Sequence, residues 1–179
     1  SHYMSTPLRS PFWKAVARMR GDLLAYARSI ADSPEEAEDL VSDALERAAR
    51  AEGRPRDPDA LRPWMFRVIR NLNVDELRKR RIRREYSLSA TRLDDRGAAV
   101  GNSVEDAIFL REAFDALEPK QREVLFLVNI MGMTYKEAAA VMNVPPGTVM
   151  SRVSRARGSL LSRMDSGQVI SLKKGKQRE

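Results

Sequence analysis

The chain has 179 residues, 42% of them hydrophobic and 32% charged, and its 32 Lys and Arg against 25 Asp and Glu leave a formal charge of +7. That length suits one ordinary domain or two small ones, and the basic excess calls for a polyanionic partner, either nucleic acid or a membrane surface. The absence of cysteine and the single histidine, His2, exclude disulfide frameworks, cysteine-based zinc fingers and histidine-based catalytic or metal sites.

Ser1-His2-Tyr3-Met4 reads as the residue of an expression tag before a natural Met4, so residues 1–10 are taken as tag and tail. No apolar run is long enough to span a bilayer, and the first residues lack the apolar stretch of a signal peptide. The expectation is a soluble, cytoplasmic protein without membrane insertion and without a cofactor.

Helical periodicity dominates the rest. From Pro11 to Ile30, Phe12, Val16, Met19, Leu23, Tyr26, Ala27 and Ile30 recur three and four apart, one face of a helix. Ser33-Pro34-Glu35-Glu36 opens a second helix, with Ser33 as N-cap, Pro34 in the first turn and Glu36 at the capping-box position. Its apolar face is Ala37, Leu40, Val41, Ala44, Leu45 and Ala48. A turn-rich break, Gly53 to Pro58, follows. The third helix is predicted to start near Asp59 or Pro63, to bury Trp64, Val68, Leu72 and Leu77, and to break around Asn71. A first domain over 11–84 results. The pattern then dissolves over 85–103, which reads as an interdomain linker. A second domain over 104–166 is predicted as helices 104–117, 120–130, 135–142 and 147–164. The tail after it, 167–179, is basic and expected to be disordered. The fold class is therefore all-α, two small helical domains on a flexible linker.

The sharpest local pattern lies between Thr134 and Arg157. A helix-turn-helix needs a small residue in its first helix where the second crosses it, and Ala139 is that residue. It needs a turn residue tolerant of positive φ, and Asn143 follows four residues later. It needs an apolar residue facing the core from the second helix, and Val149 provides it. Thr134 with Glu137 fits a capping box, and Pro146 fits the first turn of the second helix. That helix then offers Thr148, Met150, Ser151, Arg152, Ser154, Arg155 and Arg157, with no acid between Pro145 and Met164. Short polar groups and arginines are what a helix in the major groove uses on base edges and phosphates. Lys136, from the first helix, joins this set. The plainer alternative is a helical hairpin with a solvated basic face.

Charge divides the first domain. Residues 32–46 hold seven acids and no base, whereas 67–84 hold eight bases and two acids. The acidic helix is repelled by DNA and wants a protein or only solvent; the basic one wants phosphate. Trp64, Phe66, Asn71 and Asn73 lie among Arg67, Arg70, Arg78 and Arg80. Arginines that track a backbone, aromatics that stack and amides that read exposed bases are the combination a single strand requires. Trp64 lies on the apolar stripe and is expected chiefly in the core.

The order of these motifs resembles one family. Ala37-Glu38-Asp39-Leu40-Val41-Ser42-Asp43-Ala44-Leu45-Glu46-Arg47-Ala48 is similar to the polymerase-binding helix of extracytoplasmic-function (ECF, group four) sigma factors of the sigma-70 family. Leu61 to Arg80 resembles their melting and minus-ten segment. Leu117 to Leu125, followed by Pro145 to Arg157, resembles their carboxy-terminal domain. The likeness spans residues 12–166. It implies a promoter-specificity factor that binds core RNA polymerase. Asp39, Leu40, Asp43 and Arg47 would meet the clamp helices of the largest subunit. Trp64, Arg67, Arg70, Asn71, Asn73, Arg78 and Arg80 would serve the minus-ten element, with Asn71 at a flipped base. The linker would run toward the RNA exit path, and the second domain would read the minus-thirty-five element and sit on the flap of the second-largest subunit. Control would come from a separate anti-sigma factor. The family often has arginine where this chain has Met150, which cannot make a bidentate bond to guanine. Part of the readout is therefore expected from Ser151, Ser154 or DNA shape. Pro145-Pro146 replaces a more usual proline and small residue and should stiffen the turn.

Two other classes compete. A stand-alone helix-turn-helix repressor or activator would bind duplex DNA without polymerase, but gives the acidic and basic-aromatic helices no purpose. An enzyme would need a nucleophile with a base or paired acids, and the acids here sit on exposed helix faces.

Overall fold

The computed structural model describes residues 10–86 and 105–165, and every regular element among them is helical. The elements are α1 (Pro11–Ile30), α2 (Pro34–Arg50), α3 (Pro58–Tyr86), α4 (Glu105–Asp115), α5 (Pro119–Leu125), α6 (Tyr135–Met142) and α7 (Pro146–Met164). A π-helical turn, Phe126–Ile130, continues α5. The chain divides into two compact units, one carrying α1–α3 and the other α4–α7. No helix among the described residues is long and apolar enough to cross a membrane.

In the first unit each helix buries a narrow stripe against the other two. Ser10 caps α1, its hydroxyl accepting from Trp13 N at 3.3 Å, and Pro11 sits in the first turn, where a missing N–H costs nothing. The buried stripe is Ala15, Val16, Met19, Leu23, Tyr26 and Ala27, with Phe12 and Ile30 only half buried. Ser33 caps α2 by accepting from Glu36 N at 3.2 Å. Glu36 does not close the expected box onto Ser33; its carboxylate accepts from Asp32 N, one residue earlier. At the other end of α2, Arg54 donates to Ala48 O at 2.9 Å while its guanidinium lies 3.8 Å from the Phe12 ring centroid. Ala48 O also accepts from Ala51 N at 3.3 Å, so Arg54 adds a second donor to this helix-end carbonyl and covers an aromatic face.

α3 differs from the sequence expectation in three ways. It starts at Pro58, where the Asp57 carboxylate accepts from Asp59 N at 3.1 Å, and runs unbroken past both Pro63 and Asn71 to Tyr86. It therefore takes in residues 85 and 86, which the linker reading had claimed. Its buried side is Leu61, Met65, Phe66 and Ile69, not Trp64, Val68, Leu72 and Leu77. Trp64, Val68 and Leu72 are half buried and Leu77 is exposed. The unit centres on Tyr26 and Phe66, both inaccessible to solvent, with ring centroids 4.9 Å apart. Arg62 on α3 donates to the Asp22 carboxylate of α1 at 3.1 Å and adds a second tie.

In the second unit α5 packs on α7, and α7 also meets α4 and α6. Val124, Leu127, Val141, Val149 and Val153 are sealed from solvent or nearly so. Arg122 and Glu123, both charged and both buried, were not foreseen. Arg122 donates to Asp115 O at 3.0 Å and so ties α5 to the end of α4. After the π turn, Met131 N donates to Phe126 O at 2.9 Å and Gly132 takes φ 69°, a left-handed value that glycine accepts freely.

α6 and α7 form the helix-turn-helix as the sequence predicts. Thr134 Oγ1 accepts from Glu137 N at 3.1 Å and Glu137 returns the bond to Thr134 N at 3.1 Å. Asn143 adopts φ 54°, ψ 49°, and its N–H reaches Ala139 O. Residues 87–103 of the expected linker (85–103) and all of the expected tail (167–179) lie outside the described residues.

Asn143 is the one non-glycine residue with positive φ among the described residues. Asn143→Ala should cost the second unit about 1 kcal/mol, and Asn143→Gly should cost nothing or stabilise slightly, as thermal unfolding of the purified chain would record.

Candidate nucleic-acid interface

A continuous helix decides where each candidate on α3 points, because residues three, four and seven apart share a face. Trp64, Arg67, Asn71 and Arg78 follow that spacing, opposite the buried side of Leu61, Met65, Phe66 and Ile69. Arg67, Asn71 and Arg78 are exposed and Trp64 is half exposed at the rim. An indole edge, two guanidinium groups and an amide therefore share one solvent-facing strip.

The remaining α3 candidates turn inward. Asn73 donates from Nδ2 to Ile30 O at 3.4 Å, at the carboxy-terminal end of α1. Arg80 donates to Asp32 Oδ2 at 2.6 Å and to Glu36 Oε1, with Glu76 Oε1 3.6 Å away on its own helix. The hydrogen bond with Glu36 raises the Arg80 pKa above its usual value; partial burial opposes this, and the nearby charges of Glu36, Asp32 and Glu76 reinforce it. Arg80 is thus a structural strut that pins α3 to the α1–α2 turn, which occupies the donors that a phosphate would take. Arg70 is half buried and has partners of its own.

The acidic helix and the basic helix face each other. A groove between α2 and α3 is lined on one wall by Glu36, Asp39, Leu40, Asp43 and Arg47, and on the other by Leu72, Asn73, Asp75, Glu76, Arg78, Lys79 and Arg80. All four residues expected at the polymerase share this groove with Asn73, Arg78 and Arg80. Asp39, Asp43 and Arg47 are exposed, and Leu40 is 8% exposed between them. Leu40 and Leu72 among charges of both signs suit a charged helix from another protein better than a nucleic-acid backbone.

On α7 the packed stripe is Val149, Val153, Ala156, Leu160 and Met164. The opposite side presents Met150, Ser151, Ser154 and Arg155, all exposed, with Thr148 and Arg152 half buried beside them. Lys136 is exposed on α6. Arg157 is held back: it donates to Asn129 Oδ1 at 3.0 Å, on the π turn. A π turn places one extra residue in the ring and re-aims side chains, and Asn129 on this one meets Arg157 of α7. Nothing in the sequence distinguishes that turn from an ordinary helix end.

Comparison with known proteins follows the same division. Residues 15–83 match the family described as Sigma-70 region 2, and residues 110–160 match Sigma-70, region 4. The chain is 34% identical over 160 residues to the ECF RNA polymerase sigma factor EcfG of Rhodopseudomonas palustris, covering 88% of this chain and 84% of that one. It is similar to the sigma factor RpoE in its co-crystal structure with the anti-sigma factor NepR from Bartonella quintana, at TM-score 0.68 and 29% identity over 88% of this chain and 98% of the other. It is also similar to CnrH in complex with the cytosolic domain of CnrY, at TM-score 0.60 and 27% identity over 88% and 89% of the two chains.

The two kinds of arginine on α3 separate by experiment. Arg80→Ala should destabilise the first unit by about 1 kcal/mol in urea unfolding at low salt, less at high salt, because partly exposed ion pairs are screened. Arg78→Ala should leave the unfolding curve unchanged.

Proposed function

Since this chain belongs to the extracytoplasmic-function sigma factors of the sigma-70 family, we propose that its two units divide promoter recognition between an opened strand at α3 and a duplex at α7. A sigma factor confers promoter specificity on core RNA polymerase, and each structural feature has a place in that task. The α2–α3 groove, through Asp39, Leu40, Asp43 and Arg47, receives the clamp helices of the largest polymerase subunit. The observation that carries this reading is the opposition on α3: its buried side holds the unit together while its outward strip collects Trp64, Arg67, Asn71 and Arg78.

The mechanism is capture. Unstacking a base costs a few kcal/mol, and stacking plus backbone contacts to the opened strand offset it. Asn71 offers a donor and an acceptor to the edge of a flipped base, and Arg67 and Arg78 meet the phosphates on either side. Asn73 and Arg80 contribute by fixing the helix, not by touching DNA. In the second unit α7 enters the major groove of the minus-thirty-five element, with Arg155 and Lys136 on phosphates and Thr148, Met150, Ser151 and Ser154 toward base edges. Arg157, anchored to Asn129, steadies the helix, and the second unit also rests on the flap of the second-largest subunit. The factor acts in the cytoplasm, where polymerase and chromosome meet, and needs no cofactor.

An anti-sigma factor controls the chain. The two solved structures compared above are complexes with another protein, NepR named as an anti-sigma factor and the cytosolic domain of CnrY. The α2–α3 groove suits such a partner for the reason it suits polymerase, so the two compete.

Asp43→Arg should abolish co-elution with core polymerase while circular dichroism and melting temperature stay at wild-type values; undiminished co-elution would remove the groove from the docking surface. Asn71→Ala should leave promoter binding intact and strongly reduce permanganate reactivity of minus-ten thymines; equal reactivity would exclude a role in strand capture.

A further inference from the structure

Two neighbouring side chains on α7 carry chemistry more specific than attachment to DNA. Met150 is 55% exposed, although its predecessor Val149 is fully buried. On the solvent side of α7 this flexible, polarisable thioether is free to pack against an apolar group of a partner. Ser151 is exposed, and its hydroxyl lies 3.2 Å from Gly147 O and 3.1 Å from Thr148 O. A serine hydroxyl has one proton to give and two lone pairs with which to receive. Here the proton is committed to the preceding turn of its own helix, the usual back-bonding of a helical serine. In this rotamer what Ser151 offers outward is a lone pair; to donate instead, the hydroxyl must turn and give up the bond to its own helix.

The major groove offers few groups that match this pair. The one apolar group is the thymine 5-methyl. The donors are the exocyclic amines, N6 of adenine and N4 of cytosine, while guanine shows only the acceptors N7 and O6. A C·G pair presents an amine but no methyl. Only A·T presents both within one base pair. Consecutive Cα atoms are about 3.8 Å apart, so two adjacent side chains reach the two halves of one pair.

Resting on the reading of α7 as the minus-thirty-five helix, we propose that Met150 and Ser151 are a specificity-determining pair that selects an A·T base pair. Met150 packs on the thymine methyl, and Ser151 accepts from the adenine N6 amine. Guanine or thymine O4 opposite Ser151 is disfavoured, because the hydroxyl can donate to it only by giving up the bond to its own helix. The helix reads this base pair without any arginine.

The test uses the full chain assembled with core polymerase. The holoenzyme selects from a pool of duplexes randomised across the promoter region, and the enriched minus-thirty-five duplex is resynthesised with single replacements. Each thymine in turn becomes deoxyuridine, which lacks the methyl, and each adenine becomes a purine nucleoside without the amine. At one A·T pair, loss of the methyl should weaken wild-type binding about threefold, and loss of the amine about fivefold. Met150→Ala should abolish the first sensitivity alone, and Ser151→Ala the second alone, while every other position responds as in wild type. An enriched element whose methyl and amine sensitivities are unchanged in both variants would overturn this inference and leave the minus-thirty-five reading standing. Failure to enrich any minus-thirty-five sequence would overturn both.

Discussion

The constraint on which both units depend is that their helices bury stripes only a few residues wide. α2 buries Ala37, Leu40, Val41, Ala44 and Ala48, three of the five being alanine, and α6 buries Ala138 and Ala139 beside Val141 and Met142. Small residues let neighbouring helix backbones approach closely and ask for little surface in return. Most of each helix circumference is thereby released for charge, and the charge is sorted by helix: acids on α2, bases on α3 and α7. The larger side chains that lock this arrangement are Tyr26 against Phe66 with Leu23, Leu61, Met65 and Ile69 in the first unit, and Leu127 with the Val149–Val153 stripe in the second. Truncating such a residue removes about 3 kcal/mol or more, a large part of what a small domain has.

Function then follows from which face is left over. On α3 the side opposite Met65 and Phe66 is the one that carries Arg67 and Asn71, so packing and recognition cannot be varied independently along that helix. On α7 the same opposition separates Val149 and Val153 from Met150, Ser151 and Ser154. Some charges do not join the recognition surface because the fold uses them. Arg80 bridges to Asp32 and Glu36 across more than 40 residues of sequence, and Arg157 reaches Asn129 on the π turn. These contacts hold α3 and α7 in place, which on the proposed reading of the two helices matters as much as the contacts to DNA.

The helix-turn-helix was legible in the sequence because its boundaries are written in residues with local causes. Thr134, Glu137, Asn143 and Pro146 each determine backbone geometry within a turn of themselves, and each occupies the predicted place. The all-helical class and the first two helices were legible for the same reason. α3 was not, in detail. It carries Trp64, Met65, Phe66, Val68, Ile69 and Leu72 in close succession, so more than one apolar stripe can be drawn, and α1 and α2 decide which is buried. Pro63 suggested a later start and the amide-rich stretch near Asn71 a break, and tertiary packing overrides both. The contacts of Asn73 and Arg80 were illegible because their partners, Ile30, Asp32 and Glu36, lie more than 40 residues away where α1 ends and α2 begins. The buried Arg122 and the π turn leave no local mark at all.

The most direct test of the account is run-off transcription by purified core polymerase from a library of genomic fragments, with and without this chain. The account predicts new start sites that appear only with the chain, each preceded by a shared minus-ten and minus-thirty-five pair. Specific duplex binding by the chain alone, with no new start sites in the presence of core polymerase, would contradict it.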